Sequence, residues 1–504
     1  MTPVKKYCAK IRNFALINSS ELIMRLRSFR GVLLFATLIA TQACTQYVTH
    51  PDWNPDAKKA INSFIRTEGN KKERPYVVFD FDNTCSIFDI SEQLMIYQLE
   101  NMCFNLNPEK FAEMAFTGMG AYPESLQNVL REIVNGYNDL YNRYGPFTPS
   151  GVDNKTGVVL RDDPAWKDFA VGMGRMYDLL QDYMTADEAY LWTMGWFAGM
   201  TGEDLYEMAK RSHLLYSSVE TLKRSWTGSS GTHSWIDGVS VTDNIRELWK
   251  ALYDNGFDIW VCSASEVAPV MAAVDVFGLH DYCKGVIAMT MARDEEGRYL
   301  PEYDFINGCG FLAGPNCTWT KDDIPTGTQP WGAGKVEAIR KCLVPKYGGK
   351  GPLAGFMDST GDFNFCTEFA SMRLVICFNR ANRKVTEGGG LIAEVAMYEK
   401  QTLGYNLRKA KKAGDILYIL QGRDENGMRS LLPTEQTLRL GEKNLKTFDG
   451  KENYRCLEYF NEKHLSVKEI LETFSISTDV SAPSNTLGFT YGFLDKYDGY
   501  RSKE

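Results

Sequence analysis

Apolar positions along the chain follow two rhythms. Tyr76-Val-Val-Phe79 is an unbroken run of aromatic and β-branched residues, the pattern of a strand buried on both faces. Similar runs at residues 259–262, 285–289, 353–357 and 374–378 alternate with helical spacings, which predicts an α/β core. One of those helices is amphipathic over residues 245–253, with Gly256 placed to stop it. Between residues 91 and 240 the rhythm is close to 3.6 instead. Residues 91–100, 126–144, 166–184 and 203–215 read as helices, so this stretch is expected to be a largely helical insertion. Its densest aromatic cluster is Tyr190-Leu-Trp192-Thr-Met-Gly-Trp196-Phe197. Residues 292–299 read as an exposed hairpin or loop. After Thr386 come a helix over 391–400, a strand at 416–420 and a capping box, Ser466-x-x-Glu469, opening one more helix.

Chemistry gathers where the strands end. The first strand runs into Asp80-Phe-Asp82-Asn-Thr84, two carboxylates spaced i, i+2. Carboxylates are costly to desolvate unless a cation or hydrogen-bond donors meet them. In α/β proteins, ligands bind beyond the carboxyl ends of the parallel strands. The 259–262 strand ends in Ser263-Ala-Ser265, and the 353–357 strand in Asp358-Ser-Thr-Gly-Asp362. Between them, Gly334-Lys335 opens a helical pattern. Each has an ordinary alternative: a strand-end turn, a solvated lysine, a helix cap.

Taken in order, the four stretches resemble the motifs of the haloacid-dehalogenase-like (HAD) phosphohydrolases. Within that superfamily they look most like the phosphoserine-phosphatase-like branch and its bacterial phosphorylcholine phosphatases. Phe79-Asp-x-Asp-Asn-Thr84, Phe88-Asp89, Val261-x-Ser263-Ala-Ser265 and Asp358-Ser-x-x-Asp362 carry the likeness. It covers roughly residues 75–110 and 240–380; Met357 departs from it, standing where Gly usually precedes the acid. The resemblance implies a Rossmann-like parallel-sheet core with an inserted, mainly helical type-1 cap. The divisions expected are a signal over 1–43, core over 44–90, cap over 91–240, core again over 241–400, and an extension of unknown role over 401–504.

The resemblance also implies roles. Asp80 would be the nucleophile that forms an aspartyl-phosphate, and Asp82 the general acid and base. Ser263 and Lys335 would bind the phosphoryl oxygens. Asp80, the Asp82 main-chain carbonyl and Asp358 would hold Mg²⁺, with Asp362 orienting Lys335 or the metal shell. Thr84 and Ser265 are further candidates for substrate contact. The substrate would be a small phosphate ester. Trp192 and Trp196, four residues apart, lie on one helical face, with Glu203 and Asp204 soon after. For these tryptophans interior packing is the favoured reading; the other is a cage for the ammonium group of phosphorylcholine or phosphoethanolamine. Two other functions fit the same residues less well. A phosphotransferase or mutase would need a cap that excludes water, and a catalytically silent surface-binding lipoprotein would not need Asp80, Asp82, Lys335 and Asp358 together.

Composition and charge add limits. The 504 residues are 44% apolar and 24% charged, ordinary for a globular protein and long enough for about three domains. A net charge of -8, with no basic tract after the first thirty residues, argues against general nucleic-acid binding. Arg25, Arg27 and Arg30 precede the apolar run 31–40 and then Ala43-Cys44, the parts of a secretory signal. The junction resembles that of bacterial lipoproteins, although Thr41 sits where an aliphatic residue is usual. It predicts export to the periplasmic face or cell envelope, with Cys44 lipidated as the first mature residue and anchored in the membrane. Met24 would start a signal of normal length. Loss of residues 1–43 leaves 49 basic against 63 acidic residues, a charge of -14, so attachment would rest on acyl chains. The twelve cysteines show neither a disulfide framework nor zinc spacing. Cys309 and Cys317 are a candidate pair; Cys85, Cys262 and Cys366 read as buried thiols.

Overall fold

A seven-stranded sheet carries the architecture. The computed structural model describes residues 47–117, 122–180, 182–183, 186–289, 291, 293–300, 309–313, 330–381, 388–427, 429–448, 460–473, 475–476 and 489–490. The signal segment with Cys44, and Cys317, lie outside them. The central strands are β1 (Tyr76–Phe79), β4 (Asp258–Glu266), β5 (Cys283–Met289), β6 (Cys309–Ala313), β7 (Ala354–Met357), β8 (Leu374–Phe378) and β9 (Leu417–Gln421). Two further strands, β2 (Leu222–Gly228) and β3 (Gly231–Asp237), form a separate hairpin. The order across the sheet is β9-β8-β7-β1-β4-β5-β6, with every pairing parallel except the antiparallel edge β5–β6.

This order puts β1 at a topological switch. The chain leaves it towards β4 and β5, then returns to its other side for β7, β8 and β9. Crossovers diverge there and open a crevice beyond the strand ends, so the residues following Phe79 stand where α/β folds bind ligands. Packing explains why β1 is so apolar. All four of its residues are buried, and Phe79 stacks on Phe356 of β7 with ring centroids 3.8 Å apart. Trp249, on the helix Asp243–Asp254 that leads into β4, covers the same ring at 5.2 Å. Gly256 ends that helix's turn with a φ of +87°.

Among the described residues, seven α-helices lie between β1 and the hairpin. They are α2 (Ile90–Asn101), α3 (Pro108–Phe116), α4 (Glu124–Tyr144), α5 (Asn154–Asp162), α6 (Pro164–Leu180), α7 (Ala186–Met194) and α8 (Gly202–Ser217), α1 being Pro55–Glu68 ahead of the sheet. The sequence reading missed the hairpin β2–β3 that follows them. Trp226 and Trp235 meet across it at 4.1 Å, and Trp226 also packs edge-on against Trp166 of α6.

The segment after residue 400, read from sequence as an extension of unknown role, contributes to the core. Its β9 pairs with β8 over five residues, from Leu374↔Leu417 to Phe378↔Gln421, and all five β9 residues are buried. The capping box forms as expected: Ser466 Oγ and N both donate to Glu469 Oε2 at 2.7 Å. Among the described residues no helix is long and apolar enough to cross a membrane. Cys85, Cys262 and Cys366 are buried thiols outside any disulfide.

Candidate active site

Beyond β1 the chain makes a tight loop that turns its two carboxylates to different partners. Asp80 Oδ1 accepts from Lys335 Nζ at 2.6 Å, and Oδ2 from Thr84 Oγ1 at 2.9 Å. Asn83 then adopts a left-handed φ of +59°. Asp82 Oδ1 accepts the Ile90 amide at 2.7 Å and Oδ2 accepts Ser265 Oγ–H at 2.6 Å. Asp89 accepts the amides of Ser91 and Glu92 and so starts α2, which fixes where the loop ends.

The other strand ends complete the cluster. Lys335 lies in the first turn of Ala333–Cys342 and is 1% exposed; a second hydrogen bond of 2.6 Å joins it to Asp362 Oδ1. Asp362 Oδ2 accepts the amides of Asp358 and Ser359, both at 3.2 Å. A Cβ on Gly361 would stand 2.6 Å from the Trp331 indole nitrogen, so only glycine lets the β7 loop lie this close to the Lys335 helix. Arg380, just past β8, donates to Asp358 Oδ2 at 3.1 Å. On the β4 side, Ser263 Oγ accepts the Ser265 amide at 3.1 Å, and Ser91 Oγ donates to Ser265 Oγ at 2.9 Å.

Charge is out of balance here. Burial raises the Asp80 pKa, and the charges of Asp362 and Asp358 add to it; with Lys335 pulling the other way, the group settles at about 8. Burial likewise raises Asp82 well above the usual carboxylate range, helped by Asp89 and Asp80. Burial alone would lower the Lys335 pKa, but Asp362 and Asp80 outweigh it and keep the ammonium charged. Asp80, Asp358 and Asp362 offer buried oxygens that lie within 4.8 Å of one another. Such a crowd of hard oxygen donors, negative in excess, is compatible with a divalent cation. Asp362 meets Lys335 and two amides, Asp80 meets Lys335 and Thr84, and Asp358 meets Arg380.

A cavity of about 230 Å³ adjoins the cluster through Asp89 and Ser91. Acidic Glu92 and Asp178 and aromatic Tyr190, Trp196 and Trp235 also line it.

The structure therefore brings Asp80, Asp82, Thr84, Ser263, Ser265, Lys335, Asp358 and Asp362 together. It gives the two tryptophans different surroundings. Trp196 borders the cavity, whereas Trp192 is fully buried, donates its indole N–H to the Ala115 carbonyl at 3.1 Å and meets Trp196 edge-on. These contacts fit the interior packing favoured for Trp192 from sequence, and not the alternative of a substrate cage. Asp204 is also spoken for, as the capping-box partner of Thr201 at the start of α8. Sequence reasoning missed Arg380 and Ser91, and met Tyr190 only as part of the aromatic cluster. Arg380 follows a buried strand, as Asp80 and Asp358 do, and that position was the available signal.

No protein-family profile matches this chain. No curated protein matches it either. Among solved structures, a conserved protein of unknown function from Anaerococcus prevotii DSM 20548 is similar in fold. It is 23% identical, covers 79% of this chain and all of its own, and superposes with a TM-score of 0.59. A substrate-bound phosphoserine phosphatase (11% identical; 60% of this chain, 86% of that one) reaches a TM-score of 0.25. A haloacid dehalogenase-like hydrolase from Streptococcus pneumoniae (9%; 60% and 85%) reaches 0.22. The last two superpositions are too loose to argue from. The first shows the fold, an α/β parallel sheet of Rossmann-like type.

Proposed function

We propose that the chain is a Mg²⁺-dependent phosphomonoesterase of the haloacid-dehalogenase type. The observation that carries the reading is the buried Lys335 ammonium, 2.6 Å from both Asp80 and Asp362, with Asp82 held apart by Ser265 and Ile90. One carboxylate is thus paired with a cation that an incoming phosphoryl group would also meet. The other is kept in a place where its acid form is favoured.

Phosphate monoester hydrolysis is among the slowest uncatalysed reactions, with enzymatic accelerations approaching ~10²¹. No single device supplies that, since general acid–base catalysis contributes about 10²–10⁴. Asp80 attacks phosphorus while Asp82 gives its proton to the leaving alkoxide. Asp82 then takes a proton from the water that attacks the aspartyl-phosphate, releasing inorganic phosphate and restoring Asp80. Ser263 and Lys335 bind the phosphoryl oxygens. Asp80, Asp358 and the Asp82 main-chain carbonyl would hold Mg²⁺, which supplies the positive charge that lets a carboxylate approach an anionic phosphoryl group.

The leaving group is assigned to the cavity beyond Ser91. Its carboxylates Asp89 and Glu92 and its aromatic walls suit a cationic amino alcohol, held by charge and by cation–π attraction of roughly 0.5–2 kcal/mol per ring. Phosphorylcholine or phosphoethanolamine is therefore the proposed substrate, with Trp196 retained and Trp192 dropped from the earlier expectation. Hydrolysis of p-nitrophenyl phosphate should vanish with a chelator and return with Mg²⁺. Glu92→Gln should raise KM for phosphorylcholine about 5–10-fold and leave that for a neutral ester alone. Full turnover in metal-free buffer refutes the metal, and equal losses on both esters refute the cationic substrate.

A further inference from the structure

We infer that Arg423, supplied by the chain just after β9, is a positioning residue that clamps the loop carrying Asp82. The inference rests on the phosphatase reading for its catalytic consequence, though not for its geometry. Arg423 is 1% exposed. Its Nη1 donates to the Asn83 carbonyl at 2.9 Å, and its Nη2 to the Asn83 side-chain oxygen at 3.2 Å. From the other side Glu425 Oε1 accepts from Nε at 3.0 Å and from Nη2 at 2.6 Å. The guanidinium also lies 5.9 Å from the centre of the Phe88 ring.

Those contacts reach both ends of one loop. Asn83 and Phe88 are left-handed, with φ of +59° and +72°, and the Asn83 amide donates back to the Phe88 carbonyl at 3.3 Å. Side chains other than glycine rarely hold such a conformation, and they keep it only where their surroundings over-determine it. Asp82 immediately precedes Asn83, and the amide its carboxylate accepts, Ile90, lies just past Phe88. A shift of Asn83 is therefore a shift of the general acid.

The clamp is itself anchored. Thr437 Oγ1 accepts the Arg423 amide at 3.2 Å, and Glu425 Oε2 accepts the Leu440 amide at 3.3 Å. A buried ion pair is a poor source of stability, because desolvation offsets its attraction. The planar fork of an arginine holds a carbonyl and an amide oxygen with two nitrogens at a fixed spacing, a geometry that the single nitrogen of a lysine does not reproduce. What this arrangement provides is a fixed loop.

The test uses the full chain with p-nitrophenyl phosphate and Mg²⁺, comparing wild type, Arg423→Lys, Asn83→Ala, their double variant and Glu425→Gln. Folded Arg423→Lys should lose about 10–100-fold in kcat with KM within about threefold, since misplaced groups cost turnover rather than binding. The double variant should be no more than about threefold worse than the poorer single, because both break one link. A folded Arg423→Lys with kcat within about twofold of wild type, or a double variant whose losses multiply, overturns the clamp. Should the Arg423 variants not fold, Glu425→Gln reads the same device: a fall in kcat supports it and unchanged kcat overturns it. No turnover by wild type would instead be the failure of the phosphatase reading. Amide hydrogen exchange across residues 81–90 then decides, since loss of the clamp should speed it at least about tenfold in folded Arg423→Lys and unchanged exchange overturns the inference.

Discussion

Asp80 and Asp82 are two residues apart and chemically alike, and their surroundings separate their tasks. Asp80 meets an ammonium that keeps its charge, while Asp82 meets a serine and an amide under burial that favours the proton. Asp80→Asn removes the proposed nucleophile and proposed metal ligand with little change in volume. It should cut turnover by at least roughly 10⁴-fold and abolish the rise in Tm that Mg²⁺ gives the wild type. A variant still stabilised by Mg²⁺ to the wild-type extent would remove Asp80 from the metal site. A second buried acid, Glu266, gives a prediction about pH. It accepts from the Tyr299 hydroxyl and the Ala268 amide, yet burial raises its pKa from 4.5 to about 7. A raised folded-state pKa means the native protein binds the extra proton. This contribution is complete below pH 4.5 and is lost as pH rises through about 7, roughly 3 kcal/mol in all. Glu266→Gln should therefore lose less Tm than wild type between pH 5 and pH 8. Parallel curves would mean that Tyr299 and Arg293 fully compensate the charge.

At the scale of elements, legibility depended on where the information lay. Six strands of the sheet were visible in the sequence because they are largely buried and their apolar runs unbroken; the acids and serines follow three of them, and the lysine opens a helix. The hairpin β2–β3 hid because most of its outward side chains are polar and exposed, leaving Trp226 and Trp235 as its main buried marks. Thr227-Gly-Ser-Ser-Gly-Thr232 between those tryptophans is nonetheless a turn signal that the helical rhythm before it obscured. The partners of Arg380 and Arg423 were illegible for another reason. Each arginine works on a loop hundreds of residues earlier or on a different strand end, and no local pattern records such a partner. The tryptophans of α7 and its exit show the same limit, since helical spacing put Trp192 and Trp196 on one face without saying what that face meets. With its indole bonded to Ala115, Trp192 belongs to the interior. Trp192→Ala should destabilise by about 3–5 kcal/mol, while KM for cationic and neutral esters stays equal to wild type in the protein that remains folded. A selective rise in KM for the cationic ester would return Trp192 to the substrate site.

At the scale of the whole molecule, the sheet is assembled from strands far apart in the chain. β1 is flanked by segments that begin at Asp258 and Ala354, and the edge is sealed by Leu417–Gln421. The strand at 416–420 was visible from its apolar run, but a parallel partner is chosen by tertiary packing, so its place beside β8 was not. That place makes the late segment part of the sheet that carries the candidate site. The β9 residues Leu417 to Leu420 are fully buried, Tyr418 donates its hydroxyl to the Cys366 carbonyl at 3.1 Å, and its amide donates to buried Glu399. Ending the chain at Gly404 would keep the helix Gly388–Leu403 whole but strip β8 of five paired residues and leave Glu399 without that amide. An uncovered apolar edge strand is a template for pairing with other chains. The shortened chain should therefore be mostly insoluble. Any soluble fraction should lack near-ultraviolet dichroism and bind a hydrophobic dye, as a chain without fixed packing does. If it instead unfolds cooperatively within about 5 °C of the full chain, β9 is dispensable and the core ends with β8.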